Sequence, residues 1–111
     1  MVPMRQAFAD AATELFMQDE RVAIVLAEIS TDLFRRARRH DPLRAVNIGI
    51  AEQSMVGVAA GFALEGFHPI AHSLSPFMAE RPYEQLKVDF GYQGLGGTFV
   101  GEGALLRFYV L

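Results

Sequence analysis

The sequence contains no cysteine, and this absence excludes several kinds of chemistry. The chain cannot form disulfides, use a thiolate nucleophile or bind a metal through sulfur. It also lacks any apolar run of about 18 residues, the length that a membrane-spanning helix needs. The first residues lack the apolar stretch of a signal peptide. We therefore expect a cytoplasmic protein.

Strong charge of either sign is also lacking. The formal net charge is −3, which gives no general attraction to nucleic acid or to an anionic membrane. In contrast, 51% of the 111 residues are hydrophobic, which is enough to build a core and argues against disorder. We expect one domain spanning residues 1–111.

The hydrophobic pattern alternates between helical and strand-like segments. Residues 21–27 form a continuous apolar run rich in β-branched side chains, typical of a strand that is buried on both faces. Helices are predicted over residues 5–18, 32–40, 51–65 and 77–92, and further strands over 44–48, 68–73 and from 98 onwards. This order predicts an α/β fold with a mostly parallel sheet flanked by helices.

Glu52 stands at the start of an otherwise apolar helix, directly after the second predicted strand. Ligands of parallel sheets bind beyond the carboxyl ends of the strands, which is where this acid is expected. One interpretation is a carboxylate that bonds a ring nitrogen of a bound heterocycle. The other is a first-turn glutamate that favours the helix dipole. The residues alone leave both open.

Two glycines of this helix, Gly57 and Gly61, lie four residues apart on one face and suggest close approach of another backbone. The glycine-rich segment 94–103 fits neither the dinucleotide fingerprint nor the phosphate-binding loop, and it predicts a turn followed by a strand.

Other candidate residues have a structural alternative beside the functional one. The basic run 35–40 is typical of a solvated helix face, although it would also suit phosphates. His40, His68 and His72 lack a metal-ligand spacing. We interpret His72 as a hydrogen-bonded residue near a strand end, with a cofactor contact as the alternative. Phe77 follows a Ser-Pro pair and suits the core or a ligand equally.

Three segments together resemble the pyrimidine-binding domain of the transketolase family. They are residues 47–61 with the core Ile-Gly-Ile-Ala-Glu-Gln, the Ser-Pro-Phe at 75–77, and residues 83–89 with the sequence Tyr-Glu-Gln-Leu-Lys-Val-Asp. The likeness covers about residues 4–101. It implies an enzyme that depends on thiamine diphosphate and transfers a two-carbon ketol unit between sugar phosphates.

The resemblance also implies roles for single residues. Glu52 matches the glutamate that bonds a ring nitrogen of the cofactor's aminopyrimidine and activates the cofactor. Phe77 matches an aromatic residue of the pyrimidine pocket, and Leu74 replaces a second aromatic residue that stacks on the ring in many relatives. Glu28 stands where relatives carry an aspartate near the thiazolium end. Arg5 matches an arginine that contacts the sugar phosphate.

The chain also departs from the family pattern. Residues 102–111 show no family likeness and suggest a truncation or a shifted reading frame. The diphosphate-binding domain, which holds Mg²⁺ in the family, has no counterpart in this sequence. We therefore expect half of a shared site, no activity of the chain alone, and a homo- or heterodimer. The alternatives are a deoxyxylulose-phosphate synthase, the β part of a 2-oxoacid dehydrogenase, or a non-catalytic remnant that binds another subunit.

Overall fold

The computed structural model describes residues 2–103, in which four strands alternate with helices. In chain order the elements are α1 (Met4–Gln18), β1 (Val22–Leu26), a 3₁₀ turn (Thr31–Phe34), α2 (Arg35–His40), β2 (Ala45–Asn47), α3 (Glu52–Leu64), β3 (His68–Leu74), α4 (Ser75–Ala79), α5 (Tyr83–Gln85), a π-helical segment (Leu86–Tyr92) and β4 (Thr98–Glu102). The predicted α/β class is confirmed.

All strand pairs are parallel, and the strand order is β2-β1-β3-β4. The first apolar run of the sequence therefore lies inside the sheet, and every residue of β1 is buried. Leu26 pairs with Asn47 on one side and with His72 on the other. Because the strands are parallel, their carboxyl ends all lie at one edge of the sheet.

Helices cover both faces of this sheet, as the continuous apolar run in β1 predicts. On one face, α1, the 3₁₀ turn and α2 pack against alternate residues of β1 through Ala9, Ala12, Phe16, Phe34 and Ala37. On the other face, α3 packs against Val25 of β1 and Ala71 of β3 through Met55, Val56, Ala59 and Ala60. A rigid layered sheet thus carries the loops that leave its carboxyl edge.

Helix α3 ends at Leu64, and Gly66 follows the C-cap residue Glu65 with a φ of 91°, in the left-handed region that terminates many helices. The expected close approach of another backbone to Gly57 and Gly61 is not found among the described residues. A Cβ at Gly61 would meet nothing within 4 Å, and one at Gly57 would meet only the Asp89 side chain, at 3.8 Å. This glycine face of α3 points away from the sheet because the larger apolar residues occupy the buried face.

The single helix predicted over residues 77–92 is wrong. The chain forms α4, a break at Glu80–Pro82, the short α5 and the π-helical segment. Pro82 has no N–H to donate, and its ring conflicts with the carbonyl of the preceding turn, so a helix cannot pass through it undisturbed. The break places Arg81 in the connection between α4 and α5.

The helix predicted over residues 32–40 begins as a 3₁₀ turn and becomes α-helical only from Arg35, and the Ser30 side chain does not cap the turn. No helix within residues 2–103 is long and apolar enough to cross a membrane. The predicted departure from the family pattern over residues 102–111 falls, beyond Gly103, outside the residues that the structure describes. The single domain over residues 1–111 stays a prediction.

Candidate functional site

The residues singled out from the sequence gather at the carboxyl edge of the sheet. Glu28 follows β1, Glu52 begins the helix after β2, and Leu74 ends β3. Phe77 lies in α4, directly after β3. Arg5 lies in the first turn of α1 and reaches the end of β4. Parallel strands bind ligands at this edge, so the placement agrees with the expected site. The functional roles of these residues stay predictions.

Glu52 is buried, with an exposed fraction of 1%, although it is the first residue of α3. Its Oε1 accepts a hydrogen bond from Arg81 Nη1 at 2.7 Å. Its Oε2 is also buried but has no hydrogen-bond partner within the described chain. Glu52 is thus a first-turn residue of α3, as the helix-dipole interpretation has it, but its carboxylate is buried and not solvated at the helix end. A buried carboxylate oxygen without a partner is costly and demands an explanation.

Arg81 connects Glu52 to Phe77. Its guanidinium carbon lies 3.9 Å from the centroid of the Phe77 ring, a cation–π arrangement. Its backbone carbonyl oxygen also accepts a hydrogen bond of 3.5 Å from Gln53 Nε2. The structure thus brings two of the predicted cofactor residues together through a third residue that sequence reasoning missed.

Leu74 is the last residue of β3 and is half-buried. It pairs in the sheet with Glu102 of β4. The aliphatic side chain presents an apolar surface at the same edge, without the π-face that an aromatic residue would offer for stacking.

Glu28 lies in a strained loop. Its φ is 73°, and that of Ser30 is 64°, both in the left-handed region that residues with a Cβ seldom adopt. The Glu28 backbone N–H donates to Asn47 Oδ1 at 2.8 Å, and Asn47 Nδ2 donates to Glu28 Oε1 at 3.4 Å. Asn47 therefore holds the loop after β1 against the end of β2. Such strain persists where surrounding structure enforces it, and it clusters at functional sites.

His72 is a buried, fully hydrogen-bonded residue, as predicted. Its ring contacts the carbonyl oxygen of Val100 at 3.0 Å and the hydroxyl of Ser30 at 3.1 Å. The ring of Phe8 packs beside it, with centroids 4.9 Å apart. Burial lowers the pKa of His72, while the Val100 carbonyl and the charge of Glu102 oppose that shift. His72 thus joins the loop after β1 to β3 and β4.

Arg5 pairs with Glu102, whose Oε1 lies 3.7 Å from Arg5 Nε. Glu102 Oε2 lies 3.9 Å from His72 Nε2 and has no hydrogen-bond partner within the described chain. Arg5 is half-exposed, so its guanidinium remains available to an anion at the mouth of this edge. An arginine tethered at one side is suited to contact a phosphate.

Sequence reasoning missed Arg81, Asn47 and Glu102 as members of this edge. Arg81 precedes a proline, and a basic residue at a helix break is a weak signal for a loop that faces a ligand. The other two stand at the ends of predicted strands, and polar residues at carboxyl ends of strands are the signal that could have found them.

The basic run lines a groove beside β2. A cavity of about 550 Å³ is lined by Arg35, Arg38 and Arg39 together with residues of β2. None of its lining residues is among those predicted to contact the cofactor. Arg35, Arg36, Arg39 and His40 are exposed, while Ala37 is buried, which is the pattern of a solvated helix face. No group of three side chains that could hold a metal ion is present within residues 2–103.

Comparison with protein families identifies one match. Residues 1–102 match the family described as transketolase, pyrimidine binding domain. The match includes the whole carboxyl edge of the sheet described above.

Individual proteins with similar sequences are longer than this chain. An uncharacterised 33.6 kDa protein in the fasciation locus of Rhodococcoides fascians is 42% identical over 101 residues, which are 91% of this chain and 32% of that protein. The 6-deoxy-6-sulfo-D-fructose transketolase subunit SqwH of Clostridium sp. (strain MSTE9) is 32% identical over 99 residues, 88% of this chain and 31% of that protein. The chain therefore spans about a third of the length of these relatives.

A solved structure supports the same likeness. It is described as a split gene transketolase, inactive beta4 tetramer, and it superposes with a TM-score of 0.75 at 30% sequence identity. The superposition covers 87% of this chain and 33% of the other.

Proposed function

This chain belongs to the family of transketolase pyrimidine-binding domains, and from that premise we propose that Glu52 is the acid that contacts the aminopyrimidine ring of thiamine diphosphate. The family implies dependence on this cofactor. The observation that carries the proposal is the Glu52 carboxylate, which is buried, anchored through Oε1 and without a partner at Oε2. A ring nitrogen placed against Oε2 would satisfy this atom.

The surrounding residues fit the same group. Phe77 and Leu74 supply apolar surface at the edge where Glu52 lies, which suits the flat faces of a pyrimidine. Glu28, in its strained loop at the end of β1, is proposed to face the thiazolium end, and Arg5 the phosphate of a sugar substrate. These assignments rest on the positions of the side chains at one edge and on the family likeness.

We further propose that the site is shared. A diphosphate-binding domain or subunit would hold the diphosphate group and Mg²⁺, and the chain would act in a homo- or heterodimer with it. Two findings support this arrangement: the chain spans about a third of its relatives, and one relative is named as a transketolase subunit.

The chemistry that thiamine diphosphate supplies is a carbon nucleophile that accepts a two-carbon ketol unit and passes it on. The chain would contribute to this chemistry by acid–base catalysis and by positioning the cofactor ring. Glu52 Oε2 would share a proton with the ring nitrogen. General acid–base groups that transfer a proton in this way raise reaction rates by about 10²–10⁴-fold. The apolar surface of Phe77 and Leu74 would keep water from that hydrogen bond and so strengthen it.

The proposed reaction is therefore ketol transfer between sugar phosphates. Reconstitution of the chain with a diphosphate-binding partner tests this reaction. The choice of donor and acceptor substrates distinguishes ketol transfer from the synthase, dehydrogenase and non-catalytic alternatives. A ketose phosphate donor with an aldose phosphate acceptor would give turnover if the proposal holds. Turnover only with pyruvate as donor would indicate the synthase or dehydrogenase alternative, and no turnover with any donor would indicate a non-catalytic partner.

The role of Glu52 is tested in the same complex by exchange of the thiazolium proton with solvent deuterium, followed by NMR. Glu52→Gln keeps the shape of the side chain and an acceptor for Arg81 but cannot share a proton in the same way. We expect exchange to slow by about 10²–10⁴-fold. Glu65→Gln, the same change on an exposed residue at the far end of α3, is the matched control. Equal exchange in both variants would refute the assignment.

A further inference from the structure

Arg81 makes three contacts beside Glu52, the acid proposed to contact the cofactor. Nη1 donates to Glu52 Oε1 at 2.7 Å, the guanidinium lies 3.9 Å from the Phe77 centroid, and the backbone carbonyl accepts from Gln53. Two of these contacts involve the first turn of α3. An arginine fixed on several sides loses its freedom in the folded chain and can impose a fixed geometry on its partner.

Arg81 engages only one of the two carboxylate oxygens of Glu52. A planar guanidinium can engage both oxygens of a carboxylate in a fork, which is the geometry of many structural pairs. Here only Oε1 is engaged, and the buried Oε2 is left without a partner in the described chain. A pair that served stability alone would gain by satisfying both oxygens.

The charges of the pair are also unequally buried. The Glu52 side chain is 1% exposed, whereas that of Arg81 is 46% exposed. A lone buried carboxylate is strongly unfavourable, and a neighbouring cation offsets that cost. Arg81 therefore allows the acid to be buried while its own charge stays in contact with solvent.

From these contacts we infer that Arg81 is a positioning residue, which holds Glu52 by Oε1 and so presents Oε2 alone to the ring nitrogen. The inference rests on the proposed function. Arg81 acts through Glu52, with the Phe77 ring as the platform that fixes its guanidinium. Its removal would leave the acid buried but free to rotate, and unpaired.

The test is a double-mutant cycle in the complex with the diphosphate-binding partner. Arg81→Gln, Glu52→Gln and the double variant are compared for thiazolium proton exchange at saturating thiamine diphosphate. We expect Arg81→Gln to slow proton exchange about 10-fold or more when Glu52 is present. In the Glu52→Gln background the same change should cause no further slowing, because the effects of two contacting residues are not additive. Arg81→Lys, which keeps the charge but not the planar fork, should restore part of the rate.

A measurement without cofactor separates positioning from a general structural role. Arg81→Gln should lower the melting temperature of the cofactor-free complex because it leaves a buried charge unpaired. The double variant should recover most of that loss, because its buried amide carries no charge. The exposed Arg36→Gln is the matched control and should change neither exchange nor melting.

The outcomes distinguish this inference from the proposed function. Slow exchange in Glu52→Gln with unchanged exchange in Arg81→Gln would overturn the positioning role and leave the proposed function intact. Equal slowing by Arg81→Gln in both backgrounds would also overturn it, since Arg81 would then act independently of Glu52. Normal exchange in Glu52→Gln would overturn the proposed function itself.

Discussion

His72 donates from Nδ1 to the carbonyl oxygen of Val100 across 3.0 Å, and this contact fixes the state of a buried ring. A carbonyl oxygen only accepts, so Nδ1 carries the hydrogen. In the neutral ring Nε2 then has a lone pair, and it accepts the Ser30 hydroxyl at 3.1 Å. The buried network therefore favours neutral His72, in agreement with the lowered pKa.

The first prediction follows from this state. In the unfolded chain a histidine binds a proton below pH about 6.5, whereas burial lowers the pKa of His72 in the folded chain. Between these two pKa values the unfolded chain binds more protons, so stability falls as the pH drops below about 6.5 and is steady above it. Thermal melts between pH 5 and 8 in ~0.5-unit steps measure the slope.

The control for this prediction is His72→Gln, which keeps hydrogen-bonding groups but does not titrate. Its melting temperature should change less between pH 5 and 6.5 than that of the unmodified chain. Glu102 and Arg5 are the charged groups that face His72, and both are present in each chain. An equal slope in the two chains would show that other groups are responsible.

The second prediction concerns the stability of the chain without cofactor. Glu52→Gln should leave the free energy of unfolding unchanged or raise it, because the amide still accepts from Arg81 and removes a buried charge. Glu52→Ala should lower it by about 1–3 kcal/mol, because the buried acceptor is lost. Urea denaturation of both variants decides this. A loss in Glu52→Gln as large as that in Glu52→Ala would mean that the acid serves stability.

The third prediction concerns the contact between β4 and α4. A Cβ at Gly101 would lie 2.7 Å from Ser75 Oγ and 3.0 Å from Ser75 Cα. Gly101→Ala should therefore destabilise the chain by about 1–3 kcal/mol through overpacking. Gly96→Ala is the matched control, because a Cβ there meets nothing within 4 Å. Denaturation midpoints that shift equally in the two variants would contradict the prediction.

The fourth prediction concerns association. Gly57, Gly61 and Leu64 lie on one side of α3, and Leu64 is 60% exposed. We expect this side to pack against a second chain, so that sedimentation at micromolar concentration shows a dimer or larger species. Gly61→Arg should weaken association, whereas Gly96→Arg, in an exposed turn, should not. A monomer in the unmodified chain would refute this.

Much of the fold was predictable because the sheet is buried on both faces. The apolar run over residues 21–27 predicts β1, and the helix that begins at Glu52 ends at Leu64, two residues before the left-handed Gly66. The break at Pro82 was missed, although proline there is a local signal, because the apolar residues continue at helical spacing on both sides of it.

The site was predictable only in part, for a different reason. The resemblance singled out Glu52 and Phe77 as candidates, but the residue that contacts both, Arg81, is 29 positions away from Glu52 in sequence. The contact between His72 and Ser30 spans 42 positions. Such pairings depend on the order of strands in the sheet, which periodicity does not reveal. Ser30 precedes the 3₁₀ turn but does not cap it, and its hydroxyl contacts His72 instead.

The strand order also has a consequence for how the chain folds. Strand β1 pairs with β2, the next strand in the chain, but its other neighbour is β3, which is synthesised after the whole of α3. The first half can therefore pair only one edge of β1, and its other edge remains unpaired until β3 is present. Contacts between distant segments form slowly because the intervening chain must be ordered first. Docking of β3 against β1 should thus be a late step, on which the pairing of β4 and the placement of Arg81 beside Glu52 then depend.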